Sequence, residues 1–196
     1  MLDVLLVGAE ELENLSTRYL AAVLRQHGFS VAIAPFSTAQ ETDAVVRQAQ
    51  HTRPPLIGLS IIFQYRAPEF LALAARLRDA LPTAHIATGG HFPTFVAPEL
   101  LRDYPALDSV VRGEGELTLL ELVQALDTPT AWGAIRGLGR GRQPGLSQRT
   151  ACTGRVGALT RGILRAPSLF APWRREPRFM SRRMASICCM AARQDT

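Results

Sequence analysis

The chain contains no lysine and a single asparagine, Asn14, so all 22 of its Lys/Arg residues are arginine. That bias points to GC-rich coding more than to an activity. Cysteine is scarce: Cys152, Cys188 and Cys189 all lie late in the chain. Adjacent Cys188 and Cys189 cannot close an ordinary unstrained disulfide with each other, and the spacing of the three matches no zinc signature. They read as incidental thiols. No apolar run approaches the roughly 18 residues that a membrane helix needs. The opening "MLDVLLVGAEE" lacks the basic n-region and small-residue cleavage site of a secretory signal. A cytoplasmic protein with no membrane partner is expected. Also missing are a Walker motif, the glycines of a Rossmann dinucleotide fingerprint ("VGAEELE" follows the first apolar run) and a Gly-x-Ser-x-Gly elbow. A phosphoacceptor receiver domain needs an Asp at the end of its third strand, and here that position is Ser60, in "GLSII".

What is present is an ordinary globular composition, 47% hydrophobic and 20% charged, with a lopsided charge distribution. Residues 1–130 hold 9 arginines against 15 acids, a net −6; residues 131–196 hold 13 arginines against Glu176 and Asp195, a net +11. The chain therefore divides into an acidic body, 1–130, and a basic segment, 131–196, that require separate readings.

In the body, short apolar runs alternate with amphipathic stretches. Strands are expected in "DVLLVG" (3–8), "SVAIAPF" (30–36), "PLIGLSII" (55–62), "AHIATGG" (84–90) and "DSVVRGEGE" (108–116). Helices are expected over 15–28, 38–51, 67–82, 94–105 and 116–126, the second with Ala44, Val45 and Ala49 inward and the third with Phe70, Leu73, Ala74, Leu77 and Leu81 inward. Five-fold strand–helix alternation implies parallel pairing with helices on both faces. The fold class is α/β: a doubly wound, flavodoxin-like five-stranded parallel sheet ordered 2-1-3-4-5. Ligands of such sheets bind outside the carboxyl ends of the strands, which selects the loops at 8–15, 60–67, 89–95 and 112–116.

Two of these loops carry glycine pairs. In "HIATGGHFPT", Gly89 and Gly90 permit positive φ and close approach of a bulky ligand, Phe92 offers an apolar face and Pro93 stiffens the exit; a plain glycine turn is the alternative. In "RGEGE", Gly113 and Gly115 flank Glu114, which can accept hydrogen bonds from a ligand, and Glu116 opens a helix where a carboxylate suits the dipole. Among the four histidines, only His91 falls on the expected ligand edge, where it reads as a hydrogen-bonding or packing group and not a metal ligand.

The body resembles the cobalamin-binding domain at the front of B12-dependent radical SAM enzymes. The resemblance rests on "DVLLVG", "ENLSTRYLAAVLRQHGFSV", "LIGLSIIF", "LRDALPTAHIATGGHFPTFVAPELL" and "DSVVRGEGELTLLELVQAL", in the family's order across nearly all of residues 1–126. It implies a corrinoid cofactor, cobalamin, on the carboxyl edge. Ser60, Gly89, Gly90, His91, Phe92 and Thr94 would line the pocket for its nucleotide tail, Gly113, Glu114 and Gly115 would close it, and Asn14 and Leu15 would lie on the corrin side. Two departures matter. The mutase-type Asp-x-His-x-x-Gly is replaced by "AEELENLSTRYL", which has no histidine, so the resemblance implies His-off cobalamin with no protein metal ligand. The Cys-x-x-x-Cys-x-x-Cys that holds a radical SAM cluster is absent, so no iron–sulfur cluster is expected in this chain and no catalytic residue is assigned. The radical SAM partner domain is missing, and the module alone would bind without turnover. Two alternatives remain open: a stand-alone small-molecule-binding or regulatory domain without corrinoid, and an enzyme using Glu114 as general acid or base.

"WGAIRGLGR" (132–140) resembles the family's linker, and after about Gly139 all periodicity dissolves into Arg, Gly, Pro, Ala and Ser. The segment reads as a disordered tail from a frameshift or a wrong reading frame. An arm binding nucleic acid through phosphates is the alternative, but its arginines are scattered, its aromatics few and no recognised module is present. Translation of the gene in its other two frames beyond codon 139 should reveal the cluster motif in one of them; two frames without it would refute the frameshift.

Overall fold

Unbroken apolarity in "VLLVG" and "LIGLS" commits these segments to the middle of a sheet covered on both faces. The computed structural model describes residues 1–10 and 15–141. Strands β1 (Val4–Gly8), β2 (Val31–Pro35), β3 (Leu56–Ser60), β4 (His85–Gly89) and β5 (Ser109–Val111) pair in parallel in the order 2-1-3-4-5. They alternate with helices α1 (Leu15–Gln26), α2 (Thr42–Thr52), α3 (Ala67–Ala80), α4 (His91–Asp103) and α5 (Glu116–Gln124). The order is the expected one. The strand count differs, because β6 (Leu138–Arg140), within the stretch read as linker, joins β5 antiparallel and makes the sheet six-stranded. Packing also continues beyond residue 130: Trp132, in the 3₁₀ segment Pro129–Ala134, is buried and donates its indole N–H to the Ala125 carbonyl at 2.7 Å.

Side-chain alternation sorts the core into two layers. Val4, Leu6, Leu56, Ala87 and Val111 face α1 and α5, meeting Ala21 and Leu24 from one helix and Leu119, Leu122 and Val123 from the other. The opposite side holds Phe36 and Phe70 edge to face at 4.9 Å, with the guanidinium of buried Arg66 lying 5.7 Å from both rings. The inward face of α2 is rotated from the expected one: Val45, Val46 and Ala49 are buried and Ala44 is exposed. No helix of the described residues is long and apolar enough to cross a membrane. The stretch 142–196, including the three cysteines and most of the expected frameshifted tail, lies outside the described residues.

The amino ends of β4 and β5 are locked by a polar cluster. Arg78 donates to the carbonyls of Pro82, Ala84 and Ala106 and pairs with the Asp108 carboxylate, which also accepts the Ile86 N–H at 2.7 Å. Beside it, buried His85 places Nε2 2.8 Å from Ser109 Oγ and its ring edge-on to Trp132 at 4.8 Å. Burial lowers the His85 pKa to about 4, with Asp108 opposing the shift and Arg78 adding to it. The folded pKa is below the unfolded one, so between them the unfolded chain binds more protons. Stability supplied by the neutral imidazole is complete above pH 6.5 and drains away as the pH falls toward 4, by about 3 kcal/mol in all. Urea midpoints measured across that range should fall with acidification, and His85→Gln should flatten the slope.

Candidate functional site

Register brings four small residues together in the centre of the sheet. Leu6, Gly58, Ala87 and Ser109 lie side by side across β1, β3, β4 and β5, and one step toward the carboxyl ends lie Gly8, Ser60, Gly89 and Val111. Within these two rows Gly58, Ser60, Ala87 and Gly89 form a two-by-two block on the face that α1 and α5 cover. Helices resting on the larger residues around the block cannot reach its floor. What remains is a cleft of about 130 Å³, against the roughly 10–15 Å³ that admits one water. It is therefore much larger than a single-water site.

The walls are mostly apolar. Leu6 and Val111 flank the floor, α1 contributes Ser16, Thr17 and Leu20, and α5 contributes Glu116 and Leu119. The hydroxyls of Ser16 and Ser60 lie 3.2 Å apart, tying α1 to the end of β3, while Thr88 Oγ1 donates to the Leu59 carbonyl at 3.1 Å.

The mouth is shaped by two glycine turns. Gly90 has φ 107°, and a Cβ there would fall 2.6 Å from the Ile61 carbonyl oxygen, so both conformation and space demand glycine. Ile61 N–H donates to the Gly89 carbonyl at 2.8 Å, which fixes the β3 and β4 exits against each other. Gly113, with φ 70°, stands in open space. Thr94 joins the two turns: its hydroxyl donates to the Gly90 carbonyl at 2.9 Å and accepts the Gly113 N–H at 3.1 Å. Gly90 and Gly113 thus share one rim.

Of the residues singled out from sequence, Ser60, Gly89, Gly90, Gly113, Glu114 and Gly115 line the cleft. Thr94 acts behind the rim as the link just described. His91 and Phe92 fall outside the lining: His91 is exposed and packs edge-on against Phe95 at 5.1 Å, and Phe92 is half-buried. Leu15 is exposed at the start of α1, and Asn14 lies outside the described residues. The stretch 89–95 is less of a loop than expected, because α4 begins at His91. Pro93 is tolerated in the first turn, where its missing N–H has no helical partner to lose; Pro98 instead disturbs the interior, with Val96 leaving helical angles (φ −118°, ψ 22°). Residues the sequence reading passed over include Gly58, Ala87, Leu6, Ser16 and Leu20. The available signal was the matched spacing of Gly58 to Ser60 and Ala87 to Gly89 in adjacent strands.

Residues 1–123 match the B12 binding domain family. The chain belongs to that family. Hopanoid C-3 methylase of Methylococcus capsulatus is 29% identical over 141 residues, which cover 69% of this chain and 27% of the methylase. The anaerobic magnesium-protoporphyrin IX monomethyl ester cyclase of Rubrivivax gelatinosus is 30% identical over 113 residues, 56% of this chain and 20% of the cyclase. This B12-binding chain therefore spans about a quarter of the length of the curated relatives it matches. The solved structure of the cobalamin-dependent S-adenosylmethionine radical enzyme OxsB, with aqua-cobalamin and S-adenosylmethionine bound, superposes with a TM-score of 0.61 at 23% identity, over 76% of this chain and 22% of OxsB. That likeness supports the fold.

The two rim glycines should respond differently to a methyl group. Gly90→Ala combines a glycine-only backbone region with a collision against Ile61 and should cost about 3 kcal/mol or more. Gly113→Ala, with open space around it, should cost only about 1 kcal/mol. Chemical denaturation of both variants checks the contrast.

Proposed function

We propose that this B12-binding domain holds a corrinoid across the carboxyl rim of its sheet, with the nucleotide tail in the cleft between the sheet and helices α1 and α5. The supporting observation is the block of Gly58, Ser60, Ala87 and Gly89, which keeps both helices off the sheet at the point where the two rim turns converge. In this reading Gly89 and Gly90 let the tail approach backbone, the Ser16 and Ser60 hydroxyls orient its polar atoms, and the 113–115 turn closes over it. Glu114, exposed at the mouth, accepts hydrogen bonds from the ligand. Asn14 and Leu15 approach the corrin from the first connection, and His91, Phe92 and Thr94 support the tail from behind the β4 turn.

Bound there, the corrinoid supplies a cobalt centre for one-carbon transfer or related chemistry. The chain's own residues would bind it and exclude water from its tail, and "AEELENLSTRYL" would offer the cobalt no histidine. Turnover belongs to a radical SAM domain outside these residues. The rim is suited to being covered: apart from Met1, the exposed large apolar side chains of the described residues are Leu15, Tyr19, Phe63, Tyr65, Phe95 and Leu117. All six lie in segments leaving the carboxyl ends of β1, β3, β4 and β5. Scattered exposed apolar groups are ordinary, but a concentration along one rim marks a contact surface.

Mixed with hydroxocobalamin and gel-filtered, the full chain should carry corrin absorbance in its protein peak; a colourless peak overturns the reading. After reduction to the cobalt(II) form, the electron paramagnetic resonance spectrum should lack the three-line splitting of an axial nitrogen. Its presence would refute the His-off assignment.

A further inference from the structure

We propose that the cleft selects among corrinoids by their lower base, accepting a benzimidazole-class base and disfavouring a purine, and that Gly58 sets the depth to which the base enters. This rests on the corrinoid reading above and extends it to the identity of the cofactor.

The argument begins with how polarity is distributed inside the cleft. Its inner surface is made by Leu6, Leu20, Gly58, Ala87, Val111 and Leu119. The polar side chains sit away from this surface: the hydroxyls of Ser16, Thr17 and Ser60 to one side and the carboxylates of Glu114 and Glu116 in the turn and first helical residue that follow β5, while Thr88 turns its side chain to the opposite face of the sheet. The backbone of the floor is engaged as well, since β3 is paired on both edges, with β1 and with β4. A benzimidazole released from cobalt presents one ring nitrogen, which the Ser16–Ser60 wall can serve, and otherwise only apolar edges. A purine brings further ring nitrogens and, in adenine, an exocyclic amine. Driven against the apolar floor, past the Glu114 and Glu116 carboxylates, those atoms lose water and gain no side-chain partner. Leaving even one such group unsatisfied weakens binding by about tenfold or more.

Depth is set by the middle of the block. Gly58 lies at the centre of a doubly paired strand, yet it is only half-buried, because the cleft reaches down to it. A Cβ at this position would sit 2.9 Å from Leu6 Cδ2, the far end of a flexible side chain. An alanine is therefore tolerated by a small displacement of Leu6, and both the new methyl and the displaced one occupy the floor of the cleft. The rim and the corrin-facing surface are untouched.

The test compares three probes on the full chain by equilibrium binding: cobalamin, its adenine-containing analogue, and cobinamide, which has no nucleotide tail. Cobalamin should bind at least tenfold more tightly than the adenine form. Gly58→Ala should weaken cobalamin about tenfold and leave cobinamide unchanged, a pattern that loss of folding cannot produce because misfolding lowers both. Should Gly58→Ala fail to fold by circular dichroism, Ala87→Val, in the adjacent register position, carries the same comparison. Equal affinity for the two nucleotide-bearing forms overturns the selection. Cobinamide binding as tightly as cobalamin, or parallel losses for both on substitution, places the tail outside the cleft and overturns the proposal while corrinoid binding stands. Failure of all three probes to bind removes both readings together.

Discussion

The architecture of the site follows from one steric constraint: the absence of side-chain volume at four adjacent positions in the middle of a sheet. Close packing of helices on a sheet requires side chains that interdigitate, and Gly58, Ser60, Ala87 and Gly89 offer α1 and α5 little beyond the Ser60 hydroxyl that meets Ser16. The helices are held at their height by Leu24, Ala21, Leu119 and Leu122, which anchor on the larger residues Val4, Leu56 and Val111. The void is thus flanked by well-packed core everywhere except at its mouth. It cannot collapse without disturbing that core, which is what allows a domain of modest size to maintain an open cleft.

The rim depends on this arrangement and reinforces it. Gly90 lies against the Ile61 carbonyl, and Thr94 clasps the Gly90 and Gly113 turns from behind. The entrance is therefore built from backbone, with few flexible side chains, and its shape is determined before a ligand arrives. Preorganisation of this kind lowers the entropic cost of binding. The apolar residues on the outer rim are arranged differently: Phe63 and Tyr65 stack on each other at 5.6 Å, yet both remain about half exposed.

The sequence disclosed the sheet order and the ligand edge because both follow from alternation, a property repeated over more than a hundred residues. Gly90 and Gly113 were visible as glycine turns after strands. Gly58 and Ala87 were not, since a glycine inside an apolar run reads as a weakness of the strand, and their meaning emerges only when two strands are set in register. The start of α4 was obscured by Gly, Gly and Pro in succession, a signature shared by loops and by helix first turns. β6 escaped notice because Leu138–Arg140 has no apolar pattern of its own and becomes a strand through pairing with β5. Ala44 was misplaced because alanine carries too little hydrophobicity to settle which side of a helix faces inward.

The reversed direction of β6 decides at which end of the sheet Gly141 stands. Leu138 sits opposite Val111 and Arg140 opposite Ser109, and Gly141 N–H then bonds the Asp108 carbonyl. The chain thus departs beside the His85 cluster, at the end of the strands remote from the cleft. Gly141 is thereby separated from the entrance by the height of the sheet, some five residues of strand at about 3.3 Å each.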